Sequence, residues 1–294
     1  MKILITGAKG QLGQELIGIL KSGRAEIGAI SESYAGALVT AADIEDFDIT
    51  DLKSTRSFIE NAKPDIIINC AAMTNVDGCE TAREAAFSIN AAGVRNLAVC
   101  AKEAGAKFIQ ISTDYVFSGS ADRPYCEWDV IAPKSVYGAS KALGEKYALS
   151  FCDKTFIIRT SWLYGYEGKN FVKTVRRVLR EKGKITVVDD QRGNPTGAND
   201  LAYHILKLAL TGDYGIYHCT GEGECSWYEF AREIARLSGY GEEAVIPCTS
   251  KEYNSPANRP AYSCLDNLAL RAGVGNEMRD WRIALGEFIS KVKD

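Results

Sequence analysis

GAKGQLG, residues 7–13, follows the apolar run MKILIT and spaces three glycines, Gly7, Gly10 and Gly13, three residues apart. The pattern is G-x-x-G-x-x-G, one residue longer than the G-x-G-x-x-G of the best-known dinucleotide fingerprint. Its context carries the reading. A strand ending at Thr6 runs into a helix starting near Gln11, and the free N–H groups and positive dipole end of a helix N-terminus suit a pyrophosphate. Gly7, Gly10, Gln11, Leu12 and Gly13 are therefore candidates for holding a cofactor, the plainer alternative being a tight turn into a helix.

Outward from this stretch, the chain alternates strand and helix. KILITG, ALVTAA, DIIINCAA, KFIQIST and TFIIRT are short β-rich runs. Between them lie QLGQELIGILKSG, LKSTRSFIENAK, AAFSINAAGVRNLAVCAKEAG and VYGASKALGEKYALSF, all with helical character. That order predicts an α/β fold, a Rossmann-like doubly wound parallel sheet with helices on both faces. Beyond about residue 163 the alternation becomes irregular. We expect residues 1–162 to form the NAD(P)-binding domain. Residues 163–294 then form mainly a smaller C-terminal substrate-binding lobe, with some segments returning to the sheet.

Composition narrows the partners. The chain has 294 residues, 46% hydrophobic and 25% charged, with a net charge of −3, which gives no signature of nucleic-acid binding and points to a small molecule. No stretch approaches the roughly 18–20 apolar residues of a membrane span, and the N-terminus reads as a first strand and not as a signal peptide. The nine cysteines are odd in number and include no C-x-x-C pair, so they are expected to be reduced thiols in a cytoplasmic protein. With only His204 and His218, a histidine metal site or a Ser-His-Asp triad has little material.

An acid at the end of the second strand is expected to meet the cofactor ribose. Glu32 has the usual spacing, but Asp43 follows the better strand and is preferred; Asp48 and Asp51 then fall near the adenine, each also suiting an ordinary turn or the N-cap of the helix starting at Leu52. Tyr137 and Lys141 lie four apart on a predicted helix and so share a face. An ammonium beside a phenol lowers the phenol pKa from about 10 and readies tyrosine to protonate a carbonyl oxygen during reduction. The strand KFIQIST ends in Ser112, Thr113 and Asp114, at the sheet edge where such folds bind ligands, and a hydroxyl there can share the polarisation of the carbonyl.

The glycine motif, the strand-end Ser/Thr and Y-x-x-x-K together resemble the extended short-chain dehydrogenase/reductase family. Asn-Cys-Ala-Ala at 69–72, with Ala71 and Ala72, and INAAGVRNL at 89–97 resemble its cofactor-side strand end and following helix. STDYVFSG, PKSVYGASKALGE, RTSWLYG, KNFVKT, NPTG at 194–197 and RPAYS at 259–263 occur in the order of its dTDP-4-dehydrorhamnose reductase subgroup, over nearly the whole chain. The resemblance implies reduction of a dTDP-4-keto-6-deoxysugar to dTDP-L-rhamnose. It implies Thr113, Tyr137 and Lys141 as the catalytic set, with Lys141 and Tyr137 also toward the cofactor, and Asp114 and Trp162 at the sugar ring. Trp162 offers a flat apolar face, and Asn170, Arg259 and Tyr262 are candidates for the nucleotide end, Arg259 having a fork suited to a diphosphate.

One position departs from the subgroup. Where some members carry a glutamate used in a metal-bridged dimer, this chain has Asn199, with Glu15 left alone; no metal bridge is expected, and the oligomeric state, a homodimer included, is open. Asp43 leans toward the 2′-hydroxyl of NADH, whereas the resemblance implies NADPH, so both stand. Another nucleotide-sugar reductase or epimerase is the nearer alternative activity, and a non-catalytic subunit on this fold the more distant.

Overall fold

The computed structural model describes residues 1–292. A six-stranded sheet is assembled from β1 (Lys2–Thr6), β2 (Leu38–Ala42), β3 (Ile66–Asn69), β4 (Lys107–Thr113), β5 (Thr155–Thr160) and β6 (Gly215–His218). Its order is β6-β5-β4-β3-β1-β2, and every pair is parallel. Five strands are the runs expected from the first half. The sixth, β6, comes from beyond residue 163 and extends the sheet past β5.

Alternation along the strands explains the two covered faces. Ile3, Ile5, Ile66, Ile68, Phe156 and Ile158 pack toward α1 (Gln11–Ser22) and α7 (Ala198–Ala209). Leu4, Ile67, Phe108 and Ile157 point the opposite way, into α2 (Leu52–Ala62) and α4 (Val94–Ala104). Side chains in a strand change face at each residue, so an unbroken run such as IIIN is what a sheet buried on both faces needs.

Further helices include α3 (Val76–Thr81), α5 (Val136–Phe151), α6 (Phe171–Lys182), α8 (Trp227–Leu237) and α9 (Trp281–Lys291). Residues after β5 form a separate apolar cluster around Tyr164, Val175, Leu179, Phe230, Trp281 and Leu285. Among the described residues no helix is long and apolar enough to cross a membrane.

The stretch read as one helix from Ala85 to Gly105 is broken. A π-helical turn, Ser88–Gly93, separates a short helix, Arg83–Phe87, from α4. Asn90 in this turn accepts from Met73 N and donates from Nδ2 to the Met73 carbonyl and to Ser140 Oγ on α5. The widened turn thus ties the loop after β3 to α5. Such bulges often occur at functional sites.

Because β1 lies between β2 and β3, connections leave it in both directions and open a crevice beyond the carboxyl ends of β1 and β3.

Candidate active site

The glycine loop sits in that crevice. At Gly7 the backbone turns left-handed, φ 64°, and a Cβ there would lie 2.6 Å from Ala71 N. Only glycine satisfies both demands. Gly10 takes the N-cap position of α1 with extended backbone and no side chain to cap it, and Leu12 and Gly13 are buried in the first turn. Asp43, at the end of β2, accepts from Lys9 N at 3.0 Å and so lies against the loop. Asp48 is exposed and closes its own turn by accepting from Thr50, while Asp51 caps α2.

A buried polar row underlies the loop. Thr6 Oγ1 donates to Asn69 Oδ1, Asn69 Nδ2 to Gln110 Oε1, and Gln110 Nε2 to the Ile111 carbonyl, while Ala71 N donates back to Asn69. Ala72 follows, half-buried, in the same strand-end loop. A left-handed turn with no room for a side chain, an uncapped helix start and a neighbouring acid fit a dinucleotide, whose pyrophosphate would meet the α1 amides and whose ribose would meet Asp43.

The second half of the site is made where β4 meets α5. Ser135 caps α5 by accepting from Gly138 N, and a Cβ on Gly138 would fall 2.1 Å from the Tyr115 carbonyl, so glycine lets the helix press against the loop after β4. Tyr137 thereby reaches the Thr113 side chain and meets Tyr115 edge to face at 5.5 Å between ring centres. Lys141, one turn on, donates from Nζ to the Ile111 carbonyl at 2.6 Å.

The electrostatics differ from the expectation drawn from spacing. Burial raises the Tyr137 phenol well above its ordinary range, opposed only by the contact with Thr113, and Lys141 exerts no resolved pull on it because the ammonium is turned to the Ile111 carbonyl. Tyr137 is thus a neutral phenol throughout the working pH range, a proton donor and not a standing phenolate. Burial draws Lys141 down to about 8, with Glu145 opposing.

Asp114 accepts from Thr113 Oγ1 at 2.9 Å through one oxygen, while Oδ2 is buried without a partner. Burial pushes this carboxyl up to about 6, opposed by Ser263 and Thr113. Thr160, the register partner of Thr113 on β5, likewise carries a buried hydroxyl without a partner. Two unsatisfied groups side by side at the carboxyl edge of the sheet are what a polar ligand would complete. Thr160 and Asn90 were not singled out from the sequence. Each had a signal in a quoted motif, Thr160 beside Trp162 and Asn90 in INAAGVRNL, but the π-turn that aims Asn90 leaves no mark in apolar periodicity.

The candidates from the lobe are already engaged. Trp162 has left-handed backbone, φ 47°, and one indole face is covered by Trp227, with ring centres 3.5 Å apart. Asn170 caps α6 and donates to Gln11 Oε1 at 3.0 Å, which joins the lobe to the start of α1 and not to an isolated nucleotide pocket. Arg259 forms a two-pronged pair with Asp77 of α3 at 2.8 and 3.0 Å. Tyr262 donates to Glu224. Away from this cleft, Asn199 Nδ2 donates to Glu15 Oε2 at 2.9 Å and its Oδ1 accepts from Glu26 N.

The family model described as the RmlD substrate binding domain matches residues 1–294. The spore coat polysaccharide biosynthesis protein SpsK of Bacillus subtilis is 41% identical over 99% of this chain and 97% of its own length. Among solved structures, a dTDP-4-dehydrorhamnose reductase from Clostridium acetobutylicum is 44% identical, covers 99% of both chains and superposes with a TM-score of 0.92. Another, from Bacillus anthracis in complex with NADP, is 40% identical with the same coverage and TM-score. With its parallel sheet, glycine loop and Thr-Tyr-Lys edge, the chain belongs to the RmlD family, the dTDP-4-dehydrorhamnose reductases among the extended short-chain dehydrogenase/reductases.

Proposed function

We propose that this chain reduces the 4-keto group of dTDP-4-dehydro-6-deoxy-L-mannose to dTDP-L-rhamnose with NADPH or NADH. The carrying observation is the meeting of Thr113, Tyr137 and Lys141 at the carboxyl edge of β4, beside a glycine loop that has no room for side chains. The glycine loop and Asp43 would hold the nicotinamide dinucleotide, which would supply the hydride for the ketone carbon when bound. The protein's part is to bind the ketone, polarise it and deliver the proton.

Tyr137, kept neutral by burial, donates its phenolic proton to the oxygen that gains negative charge. Thr113, whose hydroxyl donates to Asp114 and meets Tyr137, becomes a second donor to that oxygen when its proton turns from the carboxylate to the ketone. Lys141 holds a buried cation one helical turn away and, by donating to the Ile111 carbonyl, ties the helix that carries Tyr137 to the strand that carries Thr113. Asp114 Oδ2 and Thr160 Oγ1 receive sugar hydroxyls, because each is buried and lacks a partner in the protein. The lobe after residue 162 takes the nucleotide end, where Arg259 can exchange the Asp77 carboxylate for a diphosphate.

The test is the loss of reduced-nicotinamide absorbance when the purified chain meets enzymatically generated dTDP-4-dehydrorhamnose, run separately with NADPH and NADH, with the sugar product identified. Net consumption coupled to dTDP-L-rhamnose is the expected result. Interconversion of sugars without net consumption would replace this reading with an epimerase.

A further inference from the structure

Behind the Tyr137–Lys141 face lies a buried charge pair that the proposed reaction does not use. Glu145 is one turn beyond Lys141 on α5 and accepts from Arg159 of β5 through both oxygens, at 2.9 and 2.8 Å. The two side chains are 4% and 3% exposed. Ser112 Oγ donates to the same carboxylate at 2.5 Å. Three consecutive residues of β4 therefore engage three successive turns of α5. The Ile111 carbonyl takes Lys141, the Ser112 hydroxyl takes Glu145, and the Thr113 side chain meets Tyr137. Arg159 is the register partner of Ser112, so the neighbouring strand closes the arrangement from its other side.

Such a pair is costly to bury and gives weak support to stability, since the desolvation of two ions rivals their attraction. A place beside a buried ammonium gives it a use. Lys141 is 4% exposed, and its one hydrogen bond goes to a neutral carbonyl. Among the described residues two ionisable groups act on it, Glu145 and the Cys70 thiol at the end of β3, which burial pushes up to about 12. Four other charged groups on or beside elements packed against α5 are engaged elsewhere. Asp77 holds Arg259, Glu80 accepts from Val136 N, Arg95 lies over Phe151, and Asp114 is held by Thr113.

We infer that Glu145 is a positioning residue for the proton-transfer site: clamped by Ser112 and Arg159, it sets the height of α5 on the sheet and supplies the counter-charge for the Lys141 ammonium. The inference rests on the proposed reductase function for its consequence, but its electrostatic content is separately measurable. Burial opposes the charged lysine and Glu145 favours it, so loss of the carboxylate charge lowers the pH at which Lys141 gives up its proton.

The experiment is a pH titration of the full chain labelled with 13Cε-lysine, with the Lys141 resonance identified by its loss in Lys141→Arg. The wild-type midpoint is expected at about 8. Glu145→Gln is expected to lower it by about one unit, a roughly tenfold loss of proton affinity. The alkaline limb of the pH–rate profile for nicotinamide oxidation should move down with it, which a packing defect alone would not produce. A folded Glu145→Gln chain with an unmoved or raised Lys141 midpoint overturns the proposal. If Glu145→Gln does not fold, Glu145→Gln/Arg159→Met removes the stranded cation too, and the same lowered midpoint is expected and the same unmoved one overturns. A wild-type chain that reduces no ketosugar defeats the proposed function, while the titration still decides the role of Glu145.

Discussion

The glycine loop at β1 and the proton-transfer edge at β4 are built by opposite means. The first is a backbone site: Gly7, Gly10 and the start of α1 lie within a few residues, and what matters is the room a missing side chain leaves. The second is a side-chain site in which Thr113, Tyr137, Lys141 and Asp114 act through burial and through partners on other elements. The backbone site can be broken only by adding atoms. The side-chain site can be retuned by removing a single oxygen or a single charge.

The sharpest break at the side-chain site is Tyr137→Phe, which deletes the phenolic oxygen and keeps the ring against Tyr115. We expect turnover to fall by about 10²- to 10⁴-fold, the usual worth of a general acid, while nicotinamide binding read by fluorescence is unchanged. Near-normal turnover would falsify the assignment of Tyr137 as donor.

At the backbone site the corresponding break is Gly7→Val. A Cβ 2.6 Å from Ala71 N on a left-handed residue forces the loop off the β3 end, and overpacking of this kind costs about 1–3 kcal/mol. NADPH affinity is expected to drop about tenfold and the melting temperature to fall, both measurable on one sample. Gly18→Ala is the control: nothing lies within 4 Å of its Cβ position, and on a helix the change is expected to stabilise by about 0.5–1 kcal/mol. Equal damage from both variants would mean that α1 is merely fragile and that Gly7 has no special place.

The smallest effect is expected outside both sites, at the Asp77–Arg259 pair between α3 and the lobe. Asp77 is 38% exposed, and pairs of this kind are worth about 0–1 kcal/mol. Asp77→Asn should therefore leave the melting temperature nearly unchanged and, by freeing the Arg259 fork, tighten dTDP binding by up to about fivefold, read by calorimetry. Weaker binding in Asp77→Asn would assign the pair to holding the loop in place and remove Arg259 from the diphosphate.

The sequence by itself determined the parallel sheet, five of its strands, the place of the glycine loop and the Tyr137–Lys141 face. These rest on local physics: apolar periodicity of two and of 3.6, turn residues with fixed spacing, and helix geometry that puts residues four apart on one side. Tertiary structure decided the rest. It recruited β6 to the sheet from the second half of the chain, broke the helix after β3 at Asn90, and gave Trp162 a tryptophan for company. It also buried the Tyr137 phenol and turned the Lys141 ammonium to the Ile111 carbonyl, so that burial and not the lysine sets the direction of the phenol's shift. Spacing states which side chains share a face, but a pKa depends on how much water a group loses and which dipoles it finds, and both are set by elements far away in the chain. The Glu145–Arg159 pair shows the same division: the carboxylate is visible one turn beyond Lys141 in the sequence, whereas its partner lies on the next strand, fourteen residues on, and is found only when the sheet is assembled.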